Sequence, residues 1–146
     1  MTTVTVIGES LPFTSDSIKE IEEKYTGQHF LLVLWEISCL PCHEEMALLG
    51  NMIELYPELN VVMVGTDHID KDEELSKLLA KHKLANIDSW LFAEKNIEKL
   101  RYSIDPEWYG ELPRNYFYDI DSGRVGHSGK LTEEILLEWL SLHNIL

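Results

Sequence analysis

Cysteine is nearly absent from this chain: its 146 residues contain two, Cys39 and Cys42, too few for the disulfide framework of a small secreted scaffold. Basic residues are scarce as well. Lys and Arg number 12 against 26 Asp and Glu, a formal net charge of −14. So acidic a surface repels phosphate backbones and anionic bilayers, which argues against nucleic acid as a partner. No apolar stretch approaches the ~20 residues of a transmembrane helix, so no membrane insertion is expected. The opening residues Met1 to Glu9 carry neither the basic n-region nor the long apolar h-region of a signal peptide. A cytoplasmic location is therefore expected, with a periplasmic one the alternative if the sequence is a trimmed piece. No repeat, low-complexity tract or linker is visible, and one domain over residues 1–146 is expected.

The two cysteines lie together, in Trp35-Glu36-Ile37-Ser38-Cys39-Leu40-Pro41-Cys42-His43-Glu44-Glu45-Met46. The apolar run His29 to Trp35 leads in as a buried strand. Met46, Leu49, Ile53 and Tyr56 then recur at helical spacing. Cys39 thus falls at a helix N-terminus and Cys42 about one turn further in. Unpaired N–H groups and the helix dipole favour a thiolate at Cys39. Glu36, Glu44 and Glu45 oppose it, so the preference is narrow. A C-x-x-C at a strand–helix junction reads as redox-active. The competing readings are a structural disulfide, whose short loop would constrain the unfolded chain little, and half of a zinc site. His43 could add a ligand, but no second C-x-x-C or H-x₃-H pair accompanies it, and no metal site is assigned.

Along the chain, Val4 to Ile7 reads as a short strand that Leu11-Pro12-Phe13 breaks. Ser17 and Glu20 read as a capping box for a helix striped by Ile18, Ile21 and Tyr25, with Gly27 closing it. Asn60 to Gly65 is a continuous β-branched run, as a buried parallel strand should be. Together with the preceding strand and helix it makes a right-handed βαβ unit. A helix opening at Asp70 presents Leu75, Leu78 and Leu79. Trp90-Leu91-Phe92 is a short strand, and Ile97, Leu100 and Ile104 mark a brief helix. After the aromatic loop Asp105 to Pro113, a hairpin pairs Arg114–Ile120 with Arg124–His127 through Asp121-Ser122-Gly123. Ile135, Leu136, Trp139 and Leu140 form the C-terminal amphipathic helix.

These residues carry a family likeness. Trp-x-x-x-Cys-x-Pro-Cys after an apolar strand resembles the thioredoxin fold. Cys-x-Pro-Cys-x-x-Glu-Met resembles the TlpA-like branch, which includes the cytochrome c maturation thiol reductases. Gly110-Glu111-Leu112-Pro113, a strand ending Phe117-Tyr118-Asp119, and Ser122-Gly123-Arg124 form a second landmark ~70 residues on. The resemblance implies an α/β thioredoxin fold: a central mixed β-sheet flanked by helices, with a TlpA-like N-terminal extension and a central βα insertion. It implies that Cys39 attacks, that Cys42 resolves, and that Glu45 handles protons. Glu45 as an exposed helix carboxylate is the equal alternative. Pro113, in cis and facing the dithiol, would shape a docking face together with Leu112, Leu40, Pro41 and Trp35, Trp35 from beneath. One of Trp108 and Tyr109 is expected in the core and the other in the groove. Ser38 stands where the family often has Trp, and Val33 where thioredoxins proper carry a buried Asp.

The expected activity is thiol–disulfide exchange, in the direction of reducing protein disulfides through a mixed disulfide. No dissociable cofactor is expected, the redox group being the Cys39–Cys42 disulfide itself. The expected partners are protein thiols and disulfides and an upstream thiol electron donor, with the chain a monomer. The alternative is a redox-sensing or metal-holding module without turnover. A peroxidase of the same fold is disfavoured, because such enzymes usually place their cysteine outside a C-x-x-C.

Overall fold

A computed structural model describes residues 10–121 and 123–145; the strand expected at Val4–Ile7 lies outside them. The architecture follows from β2, Phe30–Trp35, in which all six residues are buried. Successive side chains of a strand point to opposite faces, so an all-apolar strand needs cover on both. Leu31, Val33 and Trp35 enter one core with Met46 and Leu49 of helix α2 (Leu40–Leu55). Leu75 of α3 (Asp72–Lys81) and Leu136 of α5 (Glu133–Leu142) join the same core. Phe30, Leu32 and Leu34 enter the other with Ile18 and Ile21 of α1 (Ser17–Lys24) and Leu100 of α4 (Ile97–Ile104). Burying each such side chain contributes about 1.5–3 kcal/mol before entropy is counted, which makes β2 the spine of the fold.

Six strands make one mixed sheet among the described residues. With β1 (Leu11–Phe13), β3 (Val61–His68), β4 (Asp88–Phe92), β5 (Arg114–Tyr118) and β6 (Arg124–Ser128), its order is β1-β4-β3-β2-β5-β6. β1 through β2 run parallel and β5 and β6 antiparallel, with Leu31 opposite Val61 on one side of β2 and Phe117 on the other. No helix among the described residues is long and apolar enough to cross a membrane.

Three expectations need correction. Leu11-Pro12-Phe13 does not break a strand but is β1, parallel to β4 with Leu11 opposite Trp90. Proline is tolerated there because an edge strand leaves one row of N–H groups unused. Ser17 and Glu20 form no capping box. Asp16 is the N-cap residue and makes no side-chain cap bond, while the buried Ser17 hydroxyl turns back to accept from the Thr14 N–H at 2.8 Å. The helix expected from Asp70 opens at Asp72, after a 3₁₀ turn over Ile69–Lys71. Asp72, Glu73 and Glu74 then occupy its first turn, where the helix dipole favours anions.

A half-buried polar web braces the far side of the hairpin. Asp105 accepts from Tyr116 Oη at 2.8 Å and from Arg114 at 3.3 Å. Arg124 lies over the Tyr116 ring and donates to Tyr118 Oη at 2.9 Å, and Tyr118 in turn donates to Glu22 of α1 at 3.0 Å. α1, the end of α4 and the β5–β6 hairpin are thereby held together, which fixes the loop that carries Leu112 and Pro113.

Candidate active site

The site begins where β2 ends. Trp35 is fully buried, and Glu36-Ile37-Ser38 carry the chain out to α2. That connection is pinned at its middle, where Asp67 of β3 accepts the Ile37 N–H at 2.8 Å. Burial raises the Asp67 carboxyl above the usual carboxylate range, with the Ile37 bond pulling it back and Glu36 adding to the rise. The Ile37 carbonyl accepts from His43 Nε2 at 2.7 Å, so His43 braces the loop and its ring is already engaged.

Cys39 is the N-cap residue of α2, in an extended conformation, and its sulfur accepts the Cys42 N–H at 3.2 Å. Pro41 sits in the first turn, where its missing N–H leaves nothing unpaired. Cys39 and Cys42 are joined as a disulfide with Cα atoms 5.2 Å apart. Their environments differ sharply: Cys42 is 1% exposed, whereas Cys39 is half-exposed. A partner's sulfur can therefore reach Cys39 and not Cys42. The carboxylates opposing charge at Cys39 are also unequal. Glu44 is paired with Lys130, while Glu36 accepts from Ser38 Oγ at 2.9 Å and from Thr66 Oγ1 at 3.4 Å.

A groove of about 530 Å³ opens beside Cys39. Ser38, Leu40 and Pro41 of the dithiol segment line it together with Gly110 and Leu112 of the loop before β5, and with Ile97, Arg101 and Trp108. Leu40 is 71% exposed, an uncovered apolar side chain at the mouth. The Leu112–Pro113 peptide is cis. Leu112 is half-buried in the groove wall, whereas Pro113 is buried and its carbonyl accepts the Gly129 N–H. Trp35, grouped with the docking residues in the sequence, is 0% exposed; it can support the motif from below but cannot touch a partner. Trp108 is buried, lines the groove and donates its indole N–H to the Glu111 carbonyl at 2.9 Å, while Tyr109 is 87% exposed and lies outside the groove.

Glu45 is one turn beyond Cys42, on the same face of α2, and it is 1% exposed. The exposed-carboxylate alternative is thereby overturned. One carboxylate oxygen accepts both Asn115 Nδ2 and the Leu131 N–H, each at 2.8 Å. Burial pushes its pKa up to about 7, against the downward pull of those two hydrogen bonds. A carboxyl poised near neutrality, one turn from Cys42, can take up and release a proton in the pH range where general acid–base groups work. Its partners escape a sequence reading. Asn115 sits between Arg114 and Tyr116 on a strand whose sequence does not say which polar side chain turns toward Glu45, and the Leu131 amide leaves no trace in residue type. Arg101, Ile97 and Thr66 of the groove carry no motif either.

No family model matches the sequence, and no curated protein matches it. Solved structures do. A secreted disulfide oxidoreductase of Mycobacterium tuberculosis, homologous to Escherichia coli DsbE, superposes with a TM-score of 0.67 at 17% identity, over 82% of this chain and 85% of that one. StoA of Bacillus subtilis gives 0.59 at 18%, over 78% and 83%. The chain has the thioredoxin fold. The thioredoxin domain of a thiol-disulfide oxidoreductase from Bacteroides vulgatus gives 0.65 at 17%, over 82% and 81%. The Mycobacterium and Bacteroides neighbours are described as disulfide or thiol-disulfide oxidoreductases, the kind that the Cys-x-Pro-Cys-x-x-Glu-Met motif resembles.

Proposed function

We propose that this thioredoxin-fold protein is a thiol–disulfide oxidoreductase that reduces disulfides in partner proteins. The observation that carries the reading is the asymmetry of the dithiol: Cys39 at the N-cap of α2, half-exposed beside an open groove, and Cys42 buried beneath it. In the reduced protein the Cys39 thiolate, favoured by the helix terminus, attacks one sulfur of a partner disulfide. A Cys39–partner bond forms and the partner's other sulfur leaves as thiolate. Cys42 then gives up its proton, with Glu45 as acceptor, and attacks Cys39 Sγ. The intramolecular disulfide closes, the partner's second sulfur leaves, and two electrons have passed to the partner. An upstream thiol donor restores the dithiol. The docking partner presents its cysteine in an extended segment along Leu40, Pro41 and Leu112, with Pro113 shaping the wall behind.

The test is the equilibrium reduction potential of the Cys39–Cys42 pair, read by alkylation in thiol–disulfide buffers and joined to turnover of a protein disulfide. A value near or below about −270 mV supports a reductase, and one near about −120 mV makes the protein an oxidant. Cys39→Ser should abolish turnover, and Cys42→Ser should accumulate a mixed disulfide at Cys39. Turnover retained in Cys39→Ser would refute the proposal. The absence of any reversible two-electron transition would point instead to a binding module.

A further inference from the structure

We propose that His29, Asp119 and His143 form a binding site for a divalent transition-metal ion, with Zn(II) the expected occupant, at the end of the sheet opposite the dithiol. The register places them. Phe30 pairs with Tyr118 in the antiparallel β2–β5 ladder, so the next residues outward, His29 and Asp119, are cross-strand neighbours. His143 is delivered by the C-terminal end of α5. Trp139, one turn earlier, packs against Phe117 with ring centroids 5.1 Å apart and fixes how that helix meets the sheet. The three candidate ligand atoms all lie within 4.8 Å of one another. The two imidazoles sit with centroids 4.8 Å apart, and His143 Nε2 is 3.6 Å from Asp119 Oδ1.

The donor set is two imidazoles and one carboxylate, which suits zinc with a water in the fourth position. Ligand atoms around a tetrahedral zinc lie roughly 3.3 Å apart, given bonds of about 2.0–2.1 Å. The cluster therefore closes on an ion by side-chain rotations of about 1 Å, which half-buried rings can make without moving the ladder. Two further observations favour a ligand here. Neither ring nitrogen of His29 has a hydrogen-bond partner among the described residues, and His143 has only the long contact to Asp119. A cavity of about 250 Å³, lined by His29, Glu58 and His143, opens beside the cluster and gives an ion and its water a way in. The chain's charge of −14 also raises the local concentration of cations. A bound ion would clip together the start of β2, the end of β5 and the C-terminus of α5. The whole of β2, about 20 Å of strand, would separate it from the connection that leads to the dithiol.

The inference does not depend on thiol chemistry and is tested with that chemistry blocked. The full chain, oxidised so that Cys39 and Cys42 are paired and cannot hold metal, is titrated with ZnCl₂ by calorimetry. One ion per chain is expected, with a rise of several degrees in melting temperature at saturation. H29A and H143A should each weaken binding by tenfold or more, and D119N, which keeps the side-chain volume, should weaken it several-fold. Circular dichroism verifies that each variant is folded, and H143Q replaces any that is not. No binding by the oxidised protein would overturn the site. So would binding that H29A and H143A leave unchanged, or several ions bound with no loss in any variant.

Discussion

Replacing Glu45 by Gln should abolish the pH dependence that this residue imposes on stability. Glu45 is 1% exposed, and burial lifts its pKa from 4.5 to about 7. The sign follows from proton counting. Below the unfolded value both states carry the proton and the residue costs nothing. As pH rises, the unfolded chain ionises first while the folded protein keeps its proton, so stability falls. The fall continues until the folded carboxyl ionises near pH 7 and is constant beyond. A difference of about 2.5 units at 1.36 kcal/mol per unit amounts to about 3 kcal/mol by pH 8. Glutamine carries no charge at any pH and offers one oxygen to the same two donors, Asn115 Nδ2 and the Leu131 amide. Its extra amide protons have an acceptor in Asn115 Oδ1, which has no partner among the described residues. The two proteins should therefore be equally stable near pH 4.5, and E45Q the more stable by about 3 kcal/mol at pH 8. Urea unfolding of the oxidised forms across this range reads the difference directly. A difference that does not change with pH, or an E45Q less stable than its parent at pH 8, would refute the assignment of Glu45 as a carboxyl titrating near neutrality.

The same carboxyl gives a second expectation. The Asn115 bond holds the Glu45 pKa down, so Asn115→Ala should move the stability transition to higher pH as well as weaken the fold. Gly50, midway along α2, faces the His82 carbonyl, and an added Cβ there would run into that backbone oxygen. Alanine gains about 1 kcal/mol of helix propensity, but a clash with backbone costs about 1–3 kcal/mol. G50A should lower the urea midpoint with an unchanged slope, and a raised midpoint would contradict the packing. Leu40, 71% exposed at the groove mouth, should be replaceable by Ser within about 0.5 kcal/mol of stability. L40S should raise KM for a protein disulfide several-fold and leave kcat unchanged. Unaltered kinetics would remove Leu40 from the docking face.

The sequence was legible where local pattern and tertiary role coincide. Phe30 to Trp35 reads as a doubly buried strand because no residue in it could face water, and the sheet covers it on both sides. The cysteine helix was legible for the same reason: Cys39 at its start and Met46 and Leu49 along one face leave little freedom. Legibility failed where a residue's role is set by something distant. Pro12 suggests a break when read alone and becomes part of an edge strand only because β4 offers it a neighbour at Leu91. Ser17 carries the signature of a cap, yet its hydroxyl is turned back to Thr14. Ile97 falls on the expected stripe of α4, yet it is 45% exposed and faces the groove.

Glu45 shows the limit most clearly. Chain position puts it one turn past Cys42 and no more, and an exposed and a buried carboxyl are equally compatible with that. What separates them is a strand residue 70 positions away and a loop amide 86 away, neither of which chemical type alone marks as a partner. The dithiol is local chemistry at a strand–helix junction and so can be read from a dozen residues. The proton acceptor that would serve it is a property of the closed fold, because only burial against β5 and the loop leading into α5 brings an ordinary glutamate near neutrality. A fragment holding β2 and α2 alone would keep both cysteines and lose that acceptor. Glu45 should then titrate as an ordinary solvent-exposed carboxyl, and exchange by such a fragment should show no step near pH 7.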